Sequence, residues 1–151
     1  MNSPEDLPVD LNALVIDDSG IMRKMVMRGL NEAELATFHF TEAEDGVDGL
    51  AKFNPRATDI VFVDWNMPNM DGIDLVQRLR AQFPKRYLPI VMITTEKLVG
   101  KVEEALENGV DCFISKPFTA EGIQKRLAPV IDKLRQGQPS GGGGFFKRFA
   151  A

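Results

Sequence analysis

Five short apolar runs constrain this chain more than anything else: LNALVI (11–16), TFHFT (37–41), IVFV (60–63), IVMI (90–93) and CFIS (112–115). Each has strand length, and each is followed by a segment with helical spacing of apolar residues. After the first run, Met22, Met25, Val26, Gly29 and Leu30 fall on one helical face. DGVDGLAKF (45–53) predicts a short helix that stops before Asn54-Pro55. Gly72, Leu75, Val76 and Leu79 form a third stripe, and Val102, Ala105 and Leu106 mark a fourth, with Gly109 placed to end it. Thr119 is placed to cap a last helix with Ile123, Leu127, Val130, Ile131 and Leu134 facing inward. Pro129 inside that helix predicts a kink or a break, because it removes the bond to the Lys125 carbonyl.

Strict alternation of five strands and five helices predicts an α/β fold: a doubly wound parallel sheet with helices on both faces. Runs 3 and 4 are apolar throughout and runs 1 and 5 are so but for Asn12 and Ser115, as strands buried on both faces should be. The second run alternates, with Phe38 and Phe40 on one side, which suits an edge strand. The domain so defined spans 10–135. Beyond it, QGQPSGGGG (136–144) has the composition of a flexible linker with a mean reach of about 15–18 Å. FFKRFAA follows, and residues 145–149 read either as a disordered tail or as a short docking motif, for its own domain or for another surface.

In parallel sheets of this kind the site lies beyond the carboxyl ends of the strands. Strand 1 delivers Asp17 and Asp18 to that rim, and strand 3 delivers Asp64, with Asn66 two residues on. Strand 4 delivers Thr94, then Thr95 and Glu96, and strand 5 delivers Lys116, then Pro117. Taken singly, an Asp after a strand is often a helix cap, and a lone Lys or Thr there is an ordinary surface or strand-end residue. Together they place three carboxylates, a hydroxyl and an ammonium in one crevice. Clustered carboxylates repel, so either protons or a cation must join them. An all-oxygen set suits Mg²⁺. Lys116 and Thr94 are then available to phosphoryl oxygens, and Asp64 reads as a carboxylate nucleophile that forms an aspartyl phosphate.

Composition removes several other classes. The formal net charge is -4, which disfavours a protein built to grip nucleic acid. The acidic start MNSPEDLPVD is no secretion signal, and no apolar run approaches membrane-spanning length, so a cytoplasmic protein is expected. Three Phe and two cations are too few for stable membrane anchoring at the tail. Cys112 is the sole cysteine and reads as a buried apolar residue. The Met residues of the first helix read as core. His39 lies on the predicted edge strand, where a phosphocarrier role is disfavoured.

The stretches VIDDSGIMRKM, EAEDGVDGL, VDWNMPNMDG, MITTEK and ISKPF resemble the receiver domains of bacterial two-component response regulators, most of all the single-domain CheY-like chemotaxis regulators. The likeness covers roughly residues 10–135. It implies a flavodoxin-like sheet of order 2-1-3-4-5, an order given by the resemblance and not by spacing. It implies Asp64 as phosphoacceptor from a histidine kinase. It also implies Asp18, Asp64 and the main-chain carbonyl of Asn66 as Mg²⁺ ligands, with Asp17 acting through water. Thr94 and Lys116 would contact the phosphoryl group, and Asn66 and Glu96 would tune its loss. A cis Lys116-Pro117 bond is expected. Thr94 and an inward-moving aromatic, here Phe113 where CheY-like proteins commonly carry Tyr, would form the switch. The implied partner is an output protein such as the flagellar motor switch.

The alternative within this class is a phosphate sink or a phosphorelay intermediate. A phosphohydrolase with an Asp nucleophile is disfavoured because Asn66 stands where such enzymes often carry a second Asp. A nucleotide- or flavin-binding domain is disfavoured because Asp-Asp-Ser-Gly, not a glycine-rich turn, follows strand 1. Only 16 residues follow Arg135, too few for a DNA-binding output domain.

Overall fold

The computed structural model describes residues 9–84, 88–96 and 98–137. The docking motif expected at 145–149 lies outside the described residues. The elements alternate as β1 (Asp10–Ile16), α1 (Gly20–Glu32), β2 (Thr37–Ala43), α2 (Gly46–Lys52), β3 (Ile60–Val63), α3 (Gly72–Gln82), β4 (Ile90–Thr94), α4 (Val99–Glu107), β5 (Cys112–Ser115) and α5 (Ala120–Gly137). The strands pair in parallel in the order β2-β1-β3-β4-β5.

Each strand sends alternate side chains to opposite faces, and both faces are covered. Ala13, Val15, Ile60 and Phe62 pack beneath α1 and α5 with Val26, Leu30, Ile123 and Leu127. Leu14, Ile16, Val61 and Val63 pack beneath α2, α3 and α4 with Leu75, Val76, Leu79 and Ala105. Short polar side chains start the helices: Ser19 Oγ accepts from Met22 N (3.2 Å), Asp45 from Asp48 N (2.7 Å), Asp71 from Asp74 N (2.8 Å) and Thr119 from Gly122 N (3.0 Å). Gly109 (φ 107°) ends α4 as expected. Its N–H bonds the Leu106 carbonyl and Val110 N–H bonds the Ala105 carbonyl, each at 3.1 Å, the pair of bonds that closes a helix through a left-handed glycine.

Three expectations are corrected. Met25 is not core but 51 % exposed, because the face of α1 that meets the sheet and α5 is the narrower one of Val26, Gly29 and Leu30. Leu106 is likewise exposed, and Ala105 takes the buried position of α4. Of the kink or break expected at Pro129, the break does not occur: α5 is one helix to Gly137, taking in two residues that composition placed in the linker. Pro129 and Lys125 both lie on the exposed side, where water can bond the carbonyl that proline leaves unpaired. No helix among the described residues is long and apolar enough to cross a membrane.

Candidate functional site

The register of the sheet assembles the site. Ile16 pairs with Val63, so Asp17 and Asp64, one residue further on, emerge side by side. Thr94 pairs with Ser115, which puts Lys116 next to them. Asp17, Asp64 and Lys116 continue the parity of Val15, Phe62 and Ile114, the set that faces α1 and α5, and so they lean to one side of the rim. Short backbone bonds lock the rim: Asp64 N to the Ile16 carbonyl at 3.0 Å and Lys116 N to the Thr94 carbonyl at 2.8 Å. The Lys116–Pro117 bond is cis, as expected.

Carboxylate oxygens of Asp17, Asp18 and Asp64 lie within 4.8 Å of one another. Lys116 Nζ donates to Asp17 Oδ2 at 2.8 Å and stands 3.7 Å from Asp64 Oδ2. Asp17, Thr94 and Lys116 are buried, Asp64 is half-buried and Asp18 is exposed. Burial pushes the Asp64 carboxyl above its usual range. Lys116, the Thr94 hydroxyl and the Trp65 N–H (2.8 Å to Oδ1) pull it down, while Asp17 pushes it up. Three carboxylates thus meet one ammonium, and the remaining negative charge sits among oxygen donors at an open edge. That donor set fits a hard divalent cation such as Mg²⁺.

The other sequence-derived residues fall around this centre. Asn66 is exposed on the β3–α3 loop, and Glu96 is half-buried, its N–H 3.5 Å from Thr94 Oγ1. Phe113 already lies inward, 7 % exposed, in the apolar cluster that also holds Ala105 and Val110. Four contacts escaped the sequence reading. Arg23 braces the β1–α1 turn, with Nη1 donating to the Asp17 carbonyl (2.6 Å) and Nε to Glu42 (2.9 Å). Trp65 is buried under α4, and Lys101 Nζ lies 4.9 Å from its ring centroid, within reach of a cation–π contact. Asn69, at φ 70°, donates to Asp45 Oδ2 (3.1 Å) and ties the β3–α3 loop to the start of α2. Gly72 packs so tightly on Asp64 that an added Cβ would overlap the Asp64 carbonyl oxygen. Only the left-handed Asn in MPNMDG carried any local signal for these.

The family model for the response regulator receiver domain matches residues 13–128. The chain belongs to that family. Among curated proteins, the chemotaxis protein CheY-3 of Vibrio cholerae is 36 % identical over 125 residues, 83 % of this chain and 95 % of that protein. Chemotaxis protein CheY1 of Helicobacter pylori is 39 % identical over 122 residues, covering 80 % and 97 %. Among solved structures, CheY4 of Vibrio cholerae matches with a TM-score of 0.66 at 33 % identity, covering 78 % of this chain and 95 % of that one. A probable two-component response regulator/GGDEF domain protein matches with a TM-score of 0.73 at 33 % identity, covering 83 % of this chain and 51 % of that one. The receiver domain described here is therefore a CheY-like signalling module of the two-component class, with histidine kinases and downstream targets as its kinds of partner.

Proposed function

We propose that this receiver domain accepts a phosphoryl group on Asp64 from a histidine kinase and so switches its binding to an output protein in chemotaxis. The observation that carries this reading is the joint placement of Asp17, Asp18, Asp64 and Lys116 at one rim, with carboxylate oxygens within 4.8 Å. An Asp64 oxygen attacks phosphorus in line, the P–N bond of the phosphohistidine breaks, and the imidazole leaves neutral, keeping the proton already on its other ring nitrogen. Lys116 is placed to bind one phosphoryl oxygen and Thr94 to donate to another. Asp18, Asp64 and the Asn66 carbonyl would hold Mg²⁺, with Asp17 acting through water. When bound, the ion neutralises charge on the carboxylates and the phosphoryl oxygens. Asn66 and Glu96, on the loops that follow β3 and β4, would set the lifetime of the acyl phosphate.

The switch rests on Thr94 and Phe113. The added charge of nearly two draws the Thr94 hydroxyl toward the new oxygens and leaves space behind it. Because Phe113 is already buried, its response is a repacking against the underside of α4. The flagellar motor switch is the proposed output; a phosphate sink or relay intermediate is the competing role within the same chemistry.

Labelling with acetyl phosphate or a phosphorylated kinase tests the assignment. Wild type should incorporate an acid-stable, base-labile phosphoryl group, and Asp64→Asn should incorporate none. Equal labelling of the variant would remove Asp64 from the role. Activation by beryllofluoride that leaves affinity for motor-switch protein unchanged would favour the sink.

A further inference from the structure

We propose that residues 145–149, Phe-Phe-Lys-Arg-Phe, dock back onto the outer flank of α4 beside β5 and cover an apolar strip that the fold leaves open.

The strip follows from the helical wheel of α4. Ala105 faces the core and is fully buried. Lys101 reaches Trp65, and Asn108 Oδ1 accepts from Gln77 of α3 at 2.8 Å, so that flank meets α3 and the site loop. Val99 and Leu106, seven residues apart, share the opposite flank. That flank points away from α3, toward β5, the last strand of the sheet. Leu98, Val99 and Leu106 are 68 %, 72 % and 43 % exposed, three of the six large apolar side chains exposed among the described residues. Glu103 and Glu107, both exposed, border the strip on its outer side. An apolar ridge edged with carboxylates fits a segment that is aromatic and cationic, and 145–149 offers three Phe, one Lys and one Arg.

The chain's course supports the same occupant. α4 and α5 each return antiparallel to the strands they follow, so Glu107 and Gly137 lie at the same end of the sheet. Seven residues, QPSGGGG (138–144), separate Gly137 from Phe145. Such a spacer averages about 13–16 Å end to end and reaches about 23–25 Å when extended. α4 and α5 cover opposite faces of the sheet, so two layer spacings of about 10 Å separate them, and a spacer drawn beyond its mean length round β5 reaches the strip from its Leu106 end. A short tether holds its end at an effective concentration on the order of 1 mM. A contact of only about 0.5 mM affinity would then be two-thirds occupied, enough for about threefold protection of the covered amides. The tail would compete with any partner that uses this flank. The proposal stands apart from the phosphoacceptor reading, since it needs neither Asp64 nor a phosphoryl group.

The test uses the full chain. Amide exchange and ¹H–¹⁵N shifts of 98–107 are compared between wild type and Phe145→Ser/Phe146→Ser/Phe149→Ser, a change that alters none of the described residues. About threefold faster exchange in the variant, with shift changes centred on Val99 and Leu106, is expected. Glu103→Lys/Glu107→Lys should produce the same loss with the tail unaltered. A photoreactive benzoylphenylalanine in place of Phe146 should cross-link to α4 within one chain at every protein concentration. Unchanged exchange, cross-links that map elsewhere, or cross-links between chains that grow with concentration would each overturn the proposal, the last by making a second copy the occupant. Protection that survives the charge reversal would also overturn it.

Discussion

Replacing Gly72 by alanine tests how closely α3 is pressed against the site. A Cβ at Gly72 would overlap the Asp64 carbonyl oxygen and stand 3.0 Å from Trp65 Cα and 3.1 Å from Asp64 C. All three obstacles are backbone, so no side-chain rotation relieves them. Gly72 N–H also donates to the Trp65 carbonyl at 2.8 Å, so the helix cannot back away without losing that bond. Overpacking of this kind costs about 1–3 kcal/mol, and the rigid neighbours place Gly72→Ala at about 2–3 kcal/mol. Gly100→Ala supplies the control. Nothing lies within 4 Å of its Cβ in α4, so the same substitution should stabilise by up to about 0.5–1 kcal/mol. Urea unfolding should then show opposite signs, with a midpoint about 1 M lower for Gly72→Ala at a slope of about 2–3 kcal/mol/M. Because the displaced atoms carry Asp64, acetyl-phosphate labelling should also slow by roughly tenfold to a hundredfold, while Gly100→Ala labels normally. A Gly72→Ala protein as stable and as reactive as wild type would refute the close approach as a constraint on the site.

Arg80 should matter for stability far from the chemistry. Its guanidinium donates to the carbonyls of Gly109 (2.8 Å), Phe83 (3.0 Å) and Leu88 (2.6 Å) and to Asp111 (2.7 Å), so Arg80→Met should cost about 3–5 kcal/mol by urea unfolding; a loss under about 1 kcal/mol would show the hub to be incidental. Asp64→Asn should be more stable than wild type at pH 7 in chelator. Burial raises the folded pKa of Asp64, so its charge opposes folding above that value. The advantage should close as pH falls through the raised value into the ordinary carboxylate range, and a variant less stable at pH 7 would contradict the sign. Burial pushes the Cys112 thiol up to about 11, so at pH 8 only about one in a thousand is thiolate. Thiol reagents should label it only on denaturation; rapid labelling of the folded protein would show the site to be open.

The fold was legible because its rules are local. β3 is apolar at every position and β4 at all but Thr94 at the rim, as strands covered on both faces are, and every helix but α4 carries a capping side chain at its start. What escaped depends on who meets whom. Met25 and Leu106 satisfy helical spacing, but spacing gives a stripe and not its width, and the neighbours of α1 and α4 cover less than the stripe offers. Arg80 and Asp111 stand 31 residues apart, and Arg23 and Glu42 stand 19 apart. Nothing in a window of sequence marks a charge as buried by a distant segment. Phe113 was legible as the aromatic of β5 but not as inward, since its burial is decided by the fit of α4 above it.

The site was legible for a different reason: its members all sit at or just past the end of a strand, so topology alone gathers them. Topology does not aim them, however. Side chains reverse face at every residue of a strand, so a one-residue slip between β1 and β3 would turn Asp64 away from Asp17. The pairing of Ile16 with Val63 prevents this, and it is enforced from both sides of the sheet. Val61 and Val63 must enter the α2–α4 layer while Ile60 and Phe62 enter the α1–α5 layer, and a slip would put a valine in the place of Phe62 in one packed face and Phe62 in the place of a valine in the other. Close packing resists such an exchange of volumes. The carboxylates are therefore held together against their own repulsion by the shapes of apolar residues one and two positions behind them.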